Sequence, residues 1–440
     1  MSLAFRRPLA RLSSPRIAAV LLGVAAGGAV VWTYAEVERA RESARYEAQR
    51  RRLRDLVREH AAEAVSPRIS GSKDSSVASL DAERSAPNGA DSHVAQRDAN
   101  DLASDRRALE RRRRYLTPDL AAQLFVRDTS IETFDPWCYF RHKPGLSIRV
   151  PWEEHPSGAW TFTTNSLGLR EDRELSKTPP DLRVIVTGDS HTDGFCDGAH
   201  SYPHTAEAEL RARHTGRSIE IVNAGNGGFS FYNYAGVLER MIDLAPDAFV
   251  VAVYAGNDFA EVLVPHAYFR AIDLPTETPA DLEEIARGRD ISIAAMVQAF
   301  HEILYFRRHP EAIEPALRAA ASVATEMRAL TGAHRIRLML ILIPGPTSVP
   351  WGENAALFER FARELALTTH DIEVSDRLSD VLLGFAKEHG IETLDARPIF
   401  RAETGPLYWK KDLHTNLRAN AALGHALAQR IESWGGKLAR

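Results

Sequence analysis

The sequence predicts an α/β protein built on a central parallel sheet of about five strands, with a transmembrane helix ahead of it. Three observations carry this expectation. Five short segments read as buried strands, and the first of them, Val184–Thr187, lacks the polar alternation of a sheet that faces water on one side. Helical periods lie between them. The first three runs each end in a turn rich in Gly, Asn and Asp, where a parallel sheet offers its ligand-binding edge.

Composition leaves room for one large domain, or two small ones, plus extensions. The chain has 440 residues, 44% of them apolar and 26% charged, which is ordinary for a globular protein. A formal net charge of −4 gives no electrostatic footprint for nucleic acid. The two cysteines, Cys138 and Cys196, form neither a zinc pattern nor a disulfide framework. They are either a pair in an oxidising compartment or two unrelated buried thiols.

Met1 to Arg16 carries four arginines and no acid, and Ile17 to Tyr34 carries no charge at all. That length meets the lower limit for a spanning helix, roughly 17–25 residues, so residues 1–35 read as a basic tip and an uncleaved signal anchor. The alternatives are a signal peptide cleaved at Thr33-Tyr34-Ala35, a poor small-residue site, and a buried soluble helix. Arginines from Arg39 through Arg54 crowd the far side too, so the count of positive charges leaves orientation open; export of the C-terminal domain to an extracytoplasmic space is expected. Residues 36–104 read as a charged helix, too sparse in apolar residues for a heptad seam, followed by a Ser/Asp/Ala/Gly-rich tether. Arg111 to Arg114 is a solvated helix face or a contact to anionic lipid or polysaccharide.

Residues 105–180 form an extension of the main domain. Structure resumes near Leu116. Tyr139 to Thr164 suits short strands and loops, and Asn165 to Arg170 a tight turn in which Asn or Gly takes positive φ. In residues 181–440 the expected strands are Val184–Thr187, Ile219–Val222, Ala248–Tyr254, Ile336–Ile343 and Ile391–Leu394. The expected helices are Tyr202–His214, Tyr232–Ala245, Ala355–Thr369, Asp376–His389 and Arg418–Ser433. An insertion, residues 259–331, separates the third strand from the fourth; its second half reads as helical, and its position makes it a lid or substrate wall.

The chemistry converges on four clusters. Gly188-Asp189-Ser190 sets a hydroxyl just past the end of the first strand; alone, it is also an ordinary turn. Asn223 to Phe229 contains glycines that let backbone N–H groups approach a ligand. Gly256-Asn257-Asp258 supplies an amide at the end of the third strand. Lys410 to Asn416 supplies Asp412 and His414, a carboxylate and an imidazole two residues apart. A Ser hydroxyl needs a neighbouring base; His414 fits that role, with Asp412 stabilising its charged form. The oxyanion would be met by the Ser190 N–H, the Gly228 N–H and the Asn257 side chain, each such donor being worth about 2.7–4 kcal/mol of barrier. His191 either shapes the pocket or is a turn residue. Asp189 hydrogen-bonds the turn. Arg170 is a structural ion pair or an anion binder.

These blocks resemble the SGNH hydrolases, or GDSL-type esterases. Gly188-Asp189-Ser190 matches the first block, Gly228 the second, Gly256-Asn257-Asp258 the third, and Asp412 with His414 the last, in order across residues 182–432. The Asn165–Arg170 segment looks like the lead-in of bacterial members with N-terminal anchors. The resemblance implies a flavodoxin-like three-layer α/β/α fold, with Ser190 as nucleophile, His414 as base and Asp412 as its orienter. No H-E-x-x-H, phosphate loop or Cys/His cluster in the sequence supports a metal or nucleotide, so no cofactor is expected. One departure stands out. Family members most often carry Asp three residues before the His, where this chain has Lys411; Asp412 stands two before, as in some bacterial branches and the alginate acetyltransferase-like proteins. Asp395, after the last strand, is a substitute carboxylate. Thr192 stands where a Gly-x-Ser-x-Gly elbow needs its last glycine, which argues against an α/β-hydrolase.

The expected function is therefore ester hydrolysis or O-acyl transfer on an ester-bearing small molecule or glycan, an acetylated cell-envelope glycan being the substrate that resemblance and location imply. The alternative is a glycan-binding or assembly module with little or no turnover.

Overall fold

The computed structural model describes residues 116–435, apart from 126–127, 276–278, 288, 290 and 350–354. The expected anchor, the charged helix, the tether and the Arg111–Arg114 run lie outside the described residues. No helix among the described residues is long and apolar enough to cross a membrane.

Five strands form one all-parallel sheet: β5 (Leu182–Gly188), β6 (Ile219–Asn223), β7 (Ala248–Tyr254), β8 (Arg337–Ile343) and β9 (Glu392–Asp395). Their spatial order is β6-β5-β7-β8-β9. Numbered among themselves this is 2-1-3-4-5, the doubly wound order whose switch point lies between the first strand and the third. Every residue of β5, β6 and β7 is buried, which accounts for their largely apolar sequences; the two charges among them, Arg183 of β5 and Glu220 of β6, meet each other at 2.8 Å. β9 is an edge strand, and Glu392 and Thr393 are only partly covered.

Right-handed crossovers fix the layers. The chain moves one way from β5 to β6 and the other way thereafter, so the helix Tyr202–Arg213 lies on one face and the helices Phe231–Met241, Ile313–His334 and Val374–Glu388 on the other. The packing agrees. Tyr202–Arg213 packs against the last helix, Leu417–Ser433, while Ile313–His334 packs against both Phe231–Met241 and Val374–Glu388.

Two expected helices end early. Phe231–Met241 passes into a 3-10 turn, Ile242–Leu244, because Ala245 takes a left-handed φ of 48°. Ala355–Glu364 stops short of a separate turn at Thr369–Ile372. The insertion is helical through both halves, not only the second: it begins with Asp258–Glu261 and Leu263–Arg270 and continues through Pro279–Ala286 and Ile293–Arg308.

The extension comprises the helix Pro118–Leu124, capped by the Thr117 side chain, and two antiparallel hairpins. These are β1 (Glu132–Asp135) with β2 (Tyr139–His142), and β3 (Ser147–Pro151) with β4 (Ala159–Thr163). Cys138 and Cys196 are free thiols, both buried, so the paired alternative does not hold; burial pushes the Cys196 thiol up to about 12.

Candidate active site

Ser190 opens a single turn of helix, Ser190–Asp193, directly beyond β5. Asp189 caps it: its Oδ1 accepts the His191 N–H at 3.0 Å, so this carboxylate holds the turn. Two glycines allow the turn to sit this low. A Cβ on Gly188 would collide with Thr192 Oγ1 and the Ala252 carbonyl, and one on Gly225 would stand 2.5 Å from the Asp193 backbone nitrogen. Gly225 thus serves close packing against the Ser190 turn. Gly228, the glycine expected to offer its backbone N–H, stands at φ 75° on the wall of a cavity.

The far end of the turn is locked by the extension. Arg170, fully buried, meets Asp193 Oδ1 at 2.8 Å and donates to the carbonyls of Thr163 and Cys196. Its guanidinium lies 4.2 Å over the Phe162 ring. It is a structural ion pair with no donor turned to a ligand. The preceding turn is the expected one: Gly168 has φ 69°, and Asn165 Oδ1 accepts the N–H groups of Leu167 and Leu169. His142 Nε2 contacts the same Asp193 carboxylate at 3.1 Å. Burial raises the Asp193 carboxyl, but His142 and Arg170 outweigh it and hold the group below the usual range.

His414 reaches Ser190 across 224 residues of sequence: its Nε2 lies 2.8 Å from Ser190 Oγ. Its Nδ1 lies 2.8 Å from Asp412 Oδ2, and its backbone N–H donates to Asp412 Oδ1 at 3.1 Å. The two-residue spacing works because Leu413, between them, is in the left-handed region at φ 62°. That conformation is disfavoured for a residue with a Cβ, and it is held by a fully buried side chain and by a turn closed from Leu413 N to the Trp409 carbonyl and from Trp409 N to the His414 carbonyl. Lys411 points away, to Glu153. Asp395 forks onto Arg397 and takes no part.

His191 is a strut. It stacks on Tyr254 at 3.7 Å between ring centres, and its Nε2 meets Gln298 Oε1 at 2.9 Å. Burial and the neighbouring His414 hold it well below the usual imidazole range, so it stays neutral beside His414. Phe195 lies flat on the His414 ring, centroids 3.8 Å apart. Neither Gln298 nor Phe195 stands out in the sequence, because each acts only through a fold contact.

Ser190, Gly228 and Asn257 line one cavity of about 280 Å³. Asn257 precedes the helix Asp258–Glu261 without capping it, so its side chain is not spent there. The remaining walls are largely apolar. Leu124 and Phe125 come from the extension, and Leu263, Leu282 and Val297 from the insertion. Glu261 also faces the cavity; burial and then the Asp189 charge push its carboxyl up to about 8, so it is neutral at pH 7 and leaves that wall uncharged.

No family model matches this chain, and no curated protein matches it. Among solved structures it is similar to a lipase/acylhydrolase from Enterococcus faecalis, at 15% identity over 57% of this chain and 96% of that one, with a TM-score of 0.33. It is similar to a catalytic mutant of an acetylxylan esterase from Geobacillus stearothermophilus, at 13% identity over 58% and 96%, TM-score 0.34. It is also similar to a GDSL-like lipase from Bacteroides thetaiotaomicron, at 14% identity over 58% and 92%, TM-score 0.30. Likenesses at this level leave the substrates with those proteins, and the chemistry of this chain rests on its own residues.

Proposed function

We propose that this chain is a serine ester hydrolase of the SGNH type. The observation that carries the reading is the pair of 2.8 Å contacts that string Ser190 Oγ, the His414 ring and the Asp412 carboxylate into one line. Ser190 Oγ attacks the ester carbonyl while His414 Nε2 takes its proton, and Asp412 holds the ring with Nδ1 protonated. The tetrahedral oxyanion is received by the Ser190 and Gly228 N–H groups and the Asn257 amide. Collapse breaks the ester C–O bond, and His414 returns the proton to the leaving alkoxide. A water attacks the acyl-Ser190 with His414 again as base, releasing the acid and restoring Ser190. A sugar hydroxyl in place of water would make the same site an O-acyltransferase.

The apolar cavity beside Ser190 supports an acyl group longer than acetyl: each methylene adds about 0.8 kcal/mol on burial, and about 280 Å³ gives room for several. Residues 17–34 would hold the domain to a membrane, facing out of the cytoplasm. A serine-directed fluorophosphonate, with the modified peptide mapped, tests the nucleophile. A chromogenic ester assay of wild type against Ser190→Ala tests turnover. Labelling at Ser190 and loss of activity in the variant are expected; equal background rates would leave the binding-module alternative. A glycan acceptor added to the assay separates transfer from hydrolysis.

A further inference from the structure

A second cluster of ligand-bearing side chains lies outside the Ser190 site, where the β3–β4 hairpin meets the loop after the nucleophile turn. His155 comes from the tip of the hairpin; Asp197 precedes, and His200 ends, the 3-10 turn Gly198–His200. Asp197 Oδ2 lies 3.8 Å from His155 Nε2 and 3.8 Å from His200 Nδ1, and the three atoms fall within 4.8 Å of one another.

Of these atoms, His155 Nε2 is the one left buried with nothing to bind. His155 is 6% exposed, and its Nε2 is buried with no hydrogen-bond partner. Its other nitrogen is committed. Nδ1 lies 2.8 Å from Ser157 Oγ, whose own proton goes to the Ala159 carbonyl at 2.5 Å. Ser157 Oγ therefore accepts from Nδ1–H, and that contact outranks the longer 3.3 Å approach of the Ser157 N–H. The tautomer this selects turns the Nε2 lone pair toward a carboxylate oxygen, and two acceptors face each other across 3.8 Å. The other Asp197 oxygen, Oδ1, accepts the Thr161 N–H at 2.7 Å, which aims Oδ2 at the gap. Metal-binding imidazoles and carboxylates are oriented by outer hydrogen bonds of this kind.

We propose that His155, Asp197 and His200 bind a divalent transition metal, with Zn²⁺ the best match. Two imidazoles and one carboxylate are a zinc donor set, and bonds of about 2.0–2.1 Å in tetrahedral array put donors roughly 3.4 Å apart. The observed spacings close to that with shifts of a few tenths of an ångström at two contacts and more at the third, and His200, whose side chain is 56% exposed, is free to move. Its exposure also gives the metal an entry path and leaves a solvent position. The bound metal staples the β3–β4 hairpin to the loop that carries Phe195 over His414.

The test uses the full-length chain, stripped with a chelator and titrated with Zn²⁺ by calorimetry and thermal melting, with Co²⁺ as a spectroscopic substitute. One Zn²⁺ per chain, a melting temperature that climbs with free Zn²⁺, and tetrahedral Co²⁺ bands in the visible are expected. His200→Ala should weaken binding by more than the roughly 10–100-fold typical of losing an outer-shell partner, while its metal-free melting temperature stays that of the wild type. His155→Ala should behave likewise in binding; if it fails to fold, the exposed His200→Ala and Asp197→Asn decide. The proposal is overturned by absence of saturable binding, or by binding that survives in both His200→Ala and Asp197→Asn. Neither readout depends on ester hydrolysis.

Discussion

Asp412→Asn should abolish turnover while leaving the fold intact, and the reason lies in which Asp412 oxygen is already occupied. The His414 backbone N–H donates to Oδ1, and the ring nitrogen Nδ1 faces Oδ2. In the variant the backbone N–H keeps an oxygen at the Oδ1 position, so the amide NH₂ must face Nδ1. An NH₂ group cannot accept, so Nδ1 becomes the bare nitrogen and the ring proton moves to Nε2. There it points at Ser190 Oγ, 2.8 Å away, and the ring can no longer take the serine proton. A wrong tautomer of this kind costs about 10⁴ in kcat, or roughly 5.5 kcal/mol at about 1.4 kcal/mol per decade. Hydrolysis of a p-nitrophenyl ester at neutral pH, beside Ser190→Ala and a thermal melt, measures it. An Asp412→Asn protein that keeps more than a tenth of the wild-type kcat would refute the tautomer argument and the orienting role with it.

Three further outcomes are expected. Across p-nitrophenyl esters from acetate to hexanoate, kcat/KM should climb about fourfold per methylene as each enters the cavity; Val297→Trp should flatten that climb and spare acetate, and a wild-type optimum at acetate would count against the acyl-chain reading. Stability should fall as the pH is raised toward 8. Glu261 is pushed from its usual 4.5 up to about 8, so the folded chain holds a proton that the unfolded chain releases, and the stabilisation present below 4.5 is lost through about 8 at no more than about 1.4 kcal/mol per pH unit. Asp189, raised by burial to about 7, acts in the same direction, and denaturant melts of Glu261→Gln should show a shallower slope. Gly225→Ala should cost about 1–3 kcal/mol by overpacking, because its Cβ meets the Asp193 backbone nitrogen at 2.5 Å; activity should fall further than stability, since that nitrogen belongs to the nucleophile turn, and an unchanged melting temperature would contradict the packing argument.

Strands were the most legible part of the chain. Ala248–Tyr254 coincides with β7, and the other four expected strands overlap theirs to within two residues at either end. A strand buried on both faces is mostly apolar, and such a segment is visible without knowing its neighbours. Helix ends were less so: Ala245 and Ala366 take left-handed φ with no glycine to announce it, because tertiary packing imposes the turn. The helices in the first half of the insertion show no clear helical period in the sequence, since their apolar residues face the cavity and the core on more than one side.

The residue types of the site were legible for a related reason. Ser190, Gly228, Asn257 and the Asp412–His414 pair stand at strand ends or before a capped helix, and those positions are marked by local turn chemistry. By itself, then, the sequence determined the parallel α/β class, the strand positions and the residue types offered at the sheet's binding edge. The tertiary structure decided which of them touch. It alone brought His414 to Ser190, turned Leu413 left-handed so that a two-residue spacing could serve, committed Arg170 to Asp193 rather than to a ligand, and walled the cavity with the insertion. Local patterns encode what each segment can form, whereas a contact across 224 residues depends on the whole sheet order, which no local pattern carries.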